Sequence, residues 1–393
     1  MKIKKDSGIE LNSEDHIILY CNSNNINPKL KEKISLLCDS ELNWEYIINF
    51  ATRHRLRTLL YYNLNSICPE KVPEDILNKL KTFYQNNVHK NLLLTGELVK
   101  VMELLENNGI HAVAYKGPVL ALQAYKNIGL REFGDIDLFI DKSDALNIKQ
   151  VMINHGYDLY PALNFKNDNY YLKFITEHSF INKNNGTIIE IKWRFEGDFI
   201  SFPTNHYFTS NKSYKQEING FKLNTFSPES QIQVLCVHSA KHDWKKLSWI
   251  CDIAEFIKRE DINWEEIIAS SKKLGIERMI IVNLILARDL FHLNIPEEIK
   301  NEINKDSTAT KIAHNIKKQI FIEQKGSLNL FEKFFLDFKK RESVFYGIKD
   351  CFNSFTKPGY KDFNDFPLPE VLFPLYHVIR PFLLLKRYGN KPL

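Results

Sequence analysis

The sequence lacks the features that mark several classes of protein. Its six cysteines are scattered between positions 21 and 351, and no two of them form a CxxC motif. Such spacing matches neither a zinc-binding pattern nor the dense disulfide framework of a small secreted domain. We therefore expect reduced thiols and a cytoplasmic protein.

Long apolar runs are also missing. No stretch of the 393 residues approaches the roughly 20 apolar residues that a membrane-spanning helix needs. The N-terminal residues MKIKKDSGIELNSED begin with basic side chains but lack the apolar segment that follows them in a secretory signal. We expect neither a transmembrane segment nor a signal sequence.

A strong excess of one charge is absent as well. Lysine and arginine total 53, aspartate and glutamate total 48, and the net charge is +5. Proteins that coat nucleic acid carry a larger and more concentrated basic surplus, so we expect no nucleic-acid partner. The 44% of hydrophobic and 26% of charged residues exclude wholesale disorder and indicate a globular chain.

Apolar periodicity divides the chain into three regions. Residues 1–109 and 227–393 show the three- and four-residue spacing of helices, whereas residues 110–226 alternate strand-like and helix-like runs. We predict an α/β (α+β) fold in which a small mixed-sheet core, residues 110–226, lies between an N-terminal helical region and a C-terminal helical domain.

Local signals set the limits of some elements. Pro73 and Glu74 begin a predicted helix over residues 74–84, and residues 91–106 form a second, strongly periodic helix. Asn184-Asn185-Gly186 predicts the turn of a β-hairpin whose first strand covers residues 171–181.

Two aspartates alternate on a predicted strand, GDIDLFID. Residues two apart on a strand point to the same face, so Asp135 and Asp137 project together while Ile136 and Leu138 enter the core. Adjacent carboxylates repel each other, and folds tolerate such pairs where a cation lies between them. Mg²⁺ favours carboxylate and phosphate oxygens. The alternative is an ordinary strand with a solvated acidic face, which these few residues alone favour.

Two further segments favour a site. The first segment, AVAYKGPVLALQAY, predicts a strand, a tight turn at Gly117 and a helix. The free N–H groups at the start of this helix, with Lys116 beside them, are suited to bind a phosphate. Residues 187–195 alternate, which places Glu190 on the polar face of its strand, able to complete a three-carboxylate cluster. The alternatives are a plain strand-to-helix turn and an exposed glutamate paired with a lysine.

This order of residues resembles the nucleotidyltransferase superfamily of DNA polymerase β, which has a glycine-containing turn, an Asp-x-Asp strand and a later acidic residue. The sequence is more closely similar to a bacterial nucleotidyltransferase family, which has a Lys-Gly turn, an arginine, Asp-x-Asp and an acidic-x-His-Trp strand. The similar segments are AYKGPVLALQAY, DIDLFI preceded by Arg131, and IEIKWRF. The similarity extends over most of residues 43–260, because it includes two helical segments. These are NWEYIINFATRHRLRTLLYYNL and HSAKHDWKKLSWICDIAEFI, the second with Leu247 at a matching place.

The resemblance implies metal-dependent transfer of an NMP from an NTP, such as ATP, to a hydroxyl or phosphate of an acceptor, with release of pyrophosphate. The cofactor would be Mg²⁺ (or Mn²⁺), with one ion on the triphosphate and one on the acceptor. The implied catalytic residues and metal ligands are Asp135, Asp137 and Glu190. Lys116 and Gly117 would bind the phosphates, and the fork of Arg131 would clamp two oxygens. The alternative for Arg131 is a surface arginine before a strand.

The sequence departs from the family pattern at two lysines. Lys116 precedes Gly117 where the wider superfamily has Gly-Ser or Gly-Gly, so a serine contact to phosphate is missing and Lys116 would replace it. Lys192 stands at the histidine of the acidic-x-His-Trp strand, and a lysine offers only hydrogen-bond donors. These departures motivate an alternative, a non-catalytic nucleotidyltransferase-like module that binds a partner. A template-independent RNA-modifying polymerase is disfavoured, because the sequence has no basic strip studded with aromatic residues.

Five residues of the later helical segment follow alternating four- and three-residue spacings: His238, His242, Lys245, Trp249 and Asp252. They would share one face of an unbroken helix. Two of them have the spacing of zinc ligands, but Ser239 replaces the glutamate of the metalloprotease motif and no third ligand follows, so we exclude zinc.

The substrate-cleft candidates are His238, Lys241, His242, Lys192 and Asp252. We expect His238, Lys241 and His242 to touch substrate and Asp252 to orient one of these three, and His178 is a further candidate. The alternative is a buried polar cluster that joins two helices. The sequence specifies neither the acceptor, which can be a sugar, another small molecule or a peptide, nor the oligomeric state.

Overall fold

The computed structural model describes residues 10–160, 172, 174–195, 214–218, 220–323 and 330–388. The first nine residues, on which the expectation about a secretory signal depends, lie outside these ranges, as does the first residue of the strand predicted at 171–181.

The helices are named in chain order. Those before the first strand are α1 (Ser13–Cys21), α2 (Pro28–Cys38), α3 (Trp44–His54), α4 (Arg57–Ile67) and α5 (Glu74–Asn107). Those among the strands are α6 (Gly117–Tyr125) and α7 (Ala145–Asn154). Those after the last strand are α8 (Pro228–Lys241), α9 (Leu247–Ile257), α10 (Trp264–Leu274), α11 (Glu277–Phe291), α12 (Glu297–Lys305), α13 (Ser307–Lys318), α14 (Leu330–Lys339), α15 (Val344–Thr356), α16 (Tyr360–Asp365) and α17 (Tyr376–Tyr388). Short 3₁₀ or π segments lie at Pro69–Lys71, Ile128–Leu130, Lys142–Asp144, Gln319–Glu323 and Glu370–Leu375.

The strands are β1 (Ala112–Ala114), β2 (Asp135–Ile140), β3 (Tyr157–Leu159), β4 (Glu177–Asn182), β5 (Ile188–Lys192), β6 (Tyr214–Ile218) and β7 (Phe221–Thr225). The first five form a sheet of order β1-β2-β5-β4-β3, in which β2 and β5 are parallel and the other neighbours are antiparallel. β6 and β7 pair separately. This mixed sheet flanked by helices confirms the predicted α+β class.

The predicted hairpin is present between β4 and β5. The N–H of Asn182 donates to the carbonyl oxygen of Thr187 at 2.9 Å, and Gly186 in the turn has a φ of +71°. β4 begins later than predicted, because Leu172 and Phe174 have helical backbone. β3 and β6 were not predicted, since β3 has only three residues and the sequence of β6, YKQEI, places three polar residues in a row.

α5 is one continuous helix of 34 residues, where the sequence predicted two. The segment QNNVHK between the predicted helices is polar, but it holds neither glycine nor proline to break a helix. Two asparagine side chains at this point donate to carbonyl oxygens of the loop before β2. Asn87 contacts Gly129 and Arg131 at 3.2 and 3.0 Å, and Asn91 contacts Ile128 and Arg131 at 2.6 and 2.9 Å. α5 therefore supports the loop that leads into β2.

The hydrophobic core joins helices from the two ends of the chain. Buried Ile17 of α1 and Leu60 of α4 belong to the same cluster as Leu284 of α11. A second cluster packs α5 and α7 against the sheet and includes Ile136 and Ile148. The division into three regions stays a prediction. In the part of the chain that the structure describes, no helix combines the length and the apolar character needed to cross a bilayer.

Candidate functional site

A cavity of about 400 Å³ is lined by residues of β2, β4, β5, α8 and α9 and by the turn before α6. The predicted site residues in its wall are Lys116, Arg131, Asp135, Asp137, Glu190, Lys192, His238, Lys241 and His242. Gly117 and Asp252 are not among the described residues of this wall, although each is close to one of them.

The turn between β1 and α6 requires a glycine. Gly117 has a φ of +54°, and a Cβ atom there would lie 3.1 Å from the backbone oxygen of Asp135. Any other residue would strain the turn and push against β2. Lys116 is the N-cap residue of α6, and among the described residues no side chain caps the first turn. The turn therefore offers backbone N–H groups to an anion.

Three carboxylates meet beside this turn. Asp137 pairs in register with Glu190 of the parallel strand β5, and Asp135 lies two residues earlier on the same face of β2. Burial raises the pKa of Asp135, and the charge of Asp137 raises it further. Burial also raises the pKa of Glu190. Burial would act in the same way on Asp137, but the charges of Lys116 and Lys192 outweigh it and lower the pKa. Asp137 is therefore the ionised centre of the cluster.

Two ammonium groups contact this centre. Nζ of Lys192 lies 2.5 Å from Oε2 of Glu190, 3.2 Å from Oδ1 of Asp137 and 3.3 Å from Oε2 of Glu177. Nζ of Lys116 lies 3.4 Å from the same oxygen of Asp137. Burial lowers the pKa of Lys116. Lys192 thus occupies the space between the carboxylates in which the sequence predicted a cation.

Two residues of this cluster were not predicted. Glu177 lies opposite Lys192 in the β4–β5 register. This pairing follows from the position of the hairpin turn, so the sequence contained enough information to predict that Glu177 is near Lys192. Tyr115 donates from its hydroxyl to Oδ1 of Asp137 at 3.2 Å. No sequence signal distinguished Tyr115 from an ordinary core residue at the end of a strand.

His178 is a core residue, so its assignment to the cleft was wrong. Glu177 faces the cavity, and the alternation along β4 turns His178 to the opposite face, where it is 1% exposed. Its Nε2 donates to the carbonyl oxygen of Ala145 at 2.7 Å, and its ring packs against Trp193. Burial lowers the pKa of His178 to about 4, so the ring is neutral at pH 7.

The helix predicted to carry the other histidines is broken. α8 and α9 are separated by a turn in which Asp243 and Trp244 have positive φ. His238, His242 and Trp249 nevertheless come together. The ring centroids are 4.7 Å apart for the two histidines, 5.1 Å for His238 and Trp249, and 5.3 Å for His242 and Trp249. They form an aromatic wall on one side of the cavity.

The two imidazoles of this wall are neutral at pH 7. Burial, followed by the charge of Lys116, lowers the pKa of His238 far below its ordinary value. Burial, followed by the charge of Lys241, lowers the pKa of His242 to about 4. Nδ1 of His238 lies 3.2 Å from Nζ of Lys116 and accepts its hydrogen bond, because an ammonium group can only donate. Lys245, predicted on the same helix face, is absent from the described wall of the cavity.

Asp252 holds Arg131, so the prediction that it orients an imidazole or an amine of the cleft was wrong. Its Oδ2 accepts from Nε of Arg131 at 3.0 Å, and its Oδ1 accepts from the hydroxyl of Tyr125 at 2.8 Å. The break between α8 and α9 removes Asp252 from the face that carries the histidines. Nη1 of Arg131 is buried and has no hydrogen-bond partner within the described residues. Arg131 is therefore a fixed guanidinium at the cavity, and its Nη1 group is unused.

A family model described as an uncharacterised nucleotidyltransferase matches residues 40–292, which is more than half of the chain. The chain belongs to this nucleotidyltransferase family. No curated protein matches it. The match confirms the family resemblance drawn from residues 43–260, and it contains every predicted site residue.

A nucleotidyltransferase is expected to use a divalent metal, and the donor set of this cavity suits one. Hard cations such as Mg²⁺ take carboxylate oxygens, and the cavity wall holds four carboxylates from β2, β4 and β5. Even so, the described residues contain no group of three or more His, Cys, Asp or Glu side chains arranged to hold a metal ion. The ammonium group of Lys192 contacts both Asp137 and Glu190, where a metal ion would lie.

Proposed function

We propose that the protein transfers an NMP from an NTP to a hydroxyl or phosphate of an acceptor and releases pyrophosphate. The observation that carries this proposal is the register of β2 and β5, which sets Asp137 opposite Glu190 beside the uncapped start of α6. A carboxylate pair next to a phosphate-binding helix start is what nucleotidyl transfer requires. The family match supports the reaction class.

Lys116, Gly117 and Arg131 bind the triphosphate. Lys116 and the first turn of α6 contact the β- and γ-phosphates, since both supply donors and positive charge at one place. Gly117 allows the turn to approach β2 without a side chain in between. The unused donor of Arg131 supports a further contact to phosphate.

Asp135, Asp137 and Glu190 would hold Mg²⁺ (or Mn²⁺), which would neutralise triphosphate charge and activate the acceptor. The acceptor oxygen forms a bond to the α-phosphorus, and the bond from that phosphorus to the leaving pyrophosphate breaks. The proton of an acceptor hydroxyl passes to a carboxylate oxygen of Glu190.

The aromatic wall and Lys241 contact the rest of the substrates. His238 and His242 are neutral and lie beside Trp249, which gives flat surfaces for a base or a sugar. We also propose a cytoplasmic location, which the six buried free thiols support.

The test separates binding from turnover, because binding can be measured without knowing the acceptor. Calorimetry with Mg²⁺ and ATP, GTP, CTP or UTP in turn measures binding, and pyrophosphate release measures turnover. We expect metal-dependent binding of at least one NTP by the wild type and its loss in Asp137→Asn. Asp141→Asn is the matched control, since Asp141 is an exposed residue after β2 that caps Ser143 and an asparagine can still do so.

One outcome contradicts the proposal: no NTP binds to the wild type with either metal. The position of Lys192 among the carboxylates favours a second candidate, a non-catalytic module that binds a partner. Metal-independent nucleotide binding that Asp135→Ala and Asp137→Asn leave unchanged would support that second function.

A further inference from the structure

Lys192 is held as a bound cation would be. Its Nζ lies within 3.3 Å of oxygens from three carboxylates, on Asp137, Glu190 and Glu177, which belong to three different strands. Convergence of carboxylate oxygens from separate elements on one point is the arrangement that a hard cation selects. The side chain of Lys192 is 15% exposed, so solvent replaces little of this contact.

A divalent ion and this ammonium group compete for the same oxygens. Mg²⁺ approaches its ligands to roughly 2.0–2.1 Å, and a metal bound to both Asp137 and Glu190 would stand where Nζ of Lys192 now lies. A metal ion and the ammonium group of Lys192 would repel each other strongly if both contacted the same oxygens in a buried site. Metal binding therefore requires Lys192 to leave Asp137 and Glu190.

Lys192, rather than Lys116, is the cation that can leave. Nζ of Lys116 is fixed on the buried side between Asp137 and Nδ1 of His238. Lys192 lies at the end of β5, and its third partner, Glu177, is 40% exposed at the mouth of the cluster. An outward rotation of Lys192 toward Glu177 would free Asp137 and Glu190.

We propose that Lys192 is a tethered cation that fills the metal position until a nucleotide arrives, so that metal and NTP bind together instead of metal first. This inference rests on the proposed function. The triphosphate provides the anionic partner that replaces Asp137 and Glu190 for Lys192. The two ligands then show positive coupling, and each raises the affinity for the other.

The experiment measures Mn²⁺ binding by electron paramagnetic resonance, without nucleotide and with a non-hydrolysable analogue of the NTP that binds. Lys192→Met removes the competing charge and keeps the chain length. We expect this variant to bind Mn²⁺ alone at least tenfold more tightly than the wild type, and the effect of nucleotide on Mn²⁺ affinity to shrink. Lys192→Arg keeps the charge and should bind Mn²⁺ alone as weakly as the wild type.

Lys183→Met is the matched control, because Lys183 follows β4 in the same hairpin and pairs with Asp158 on the surface. It should leave Mn²⁺ binding unchanged. Circular dichroism establishes that each variant is folded, and Lys192→Gln replaces Lys192→Met if the latter is not.

Two failures are distinguishable. Equal Mn²⁺ affinities in the wild type and in the neutral variants, with metal-dependent NTP binding intact, overturn the role of Lys192 alone. Absence of both Mn²⁺ and NTP binding from the wild type and from the neutral variants overturns the proposed function as well.

Discussion

Arg131 and Asp252 form an ion pair across 121 positions of the sequence, with 3.0 Å between Nε and Oδ2. Their side chains are 10% and 3% exposed. Because Asn87 and Asn91 hold the backbone of Arg131, and Tyr125 shares Asp252, three helices fix the residue that leads into β2. The pair therefore fixes Arg131 in the wall of the cavity.

Asp252→Asn should destabilise the protein strongly. The substitution leaves a buried guanidinium without its counterion, which costs about 3–5 kcal/mol in the free energy of unfolding. Urea denaturation measures this change. The exposed pair of Asp75 and Lys79 provides the control, and Asp75→Asn should cost less than about 1 kcal/mol. Equal effects of the two substitutions would contradict the structural role of Asp252.

Gly117→Ala should damage both the fold and nucleotide binding. A residue with a side chain at a φ of +54° costs about 1–3 kcal/mol, and the new Cβ would press on the backbone of Asp135. Gly134→Ala is the control, since the described residues leave at least 4 Å free around a Cβ there. Thermal unfolding and NTP titration of the two variants make the comparison. A Gly117 variant as stable and as tight-binding as the Gly134 variant would refute the argument from the turn.

Lys116→Met should weaken NTP binding. Loss of one hydrogen bond from a charged donor to phosphate costs about 1.5–3 kcal/mol, which corresponds to roughly a 10- to 150-fold lower affinity. Lys126→Met, at the opposite end of the same helix, should bind NTP like the wild type. Calorimetry with Mg²⁺ and NTP decides the matter, and unchanged affinity in the Lys116 variant would remove this residue from the phosphate site.

His178 should make the stability depend on pH. Burial lowers its pKa to about 4 in the folded state, against an ordinary value near 6.5. The unfolded chain therefore binds the proton more readily, so the stabilisation is complete above about pH 6.5 and is lost as the pH falls toward 4. The loss reaches up to about 3 kcal/mol.

Denaturation midpoints of the wild type and of His178→Gln, taken between pH 4 and 7, test this dependence. The variant should lose stability less steeply on acidification, because glutamine does not titrate. His111→Gln serves as the control, since His111 is exposed. Parallel curves for all three proteins would argue against a buried neutral His178.

The elements with a clear period were predictable from the sequence. The alternation around Asp135 and Asp137 gave β2, and the Asn-Asn-Gly turn gave the β4–β5 hairpin. A strand places residues two apart on one face whatever surrounds it. The closeness of Glu190 to Asp137 could be predicted with one further assumption, namely that β2 and β5 are neighbouring strands.

The rest depends on contacts that local patterns do not encode. The turn before α9 uses positive φ at Asp243 and Trp244, a conformation uncommon for residues other than glycine. That turn moves Asp252 from the histidines to Arg131. The position of Lys192 among three carboxylates also follows from packing, since its sequence context gives only its strand face.

The pairing of Arg131 with Asp252 also has a consequence for biosynthesis. A ribosome adds about 5–20 residues per second, so the 121 positions between the two residues take roughly 6–24 s to make. During that interval Asp252 has not yet been made, so the guanidinium of Arg131 lacks the carboxylate that it pairs with in the folded protein. The Arg131–Asp252 pair can therefore form only after translation has passed α9.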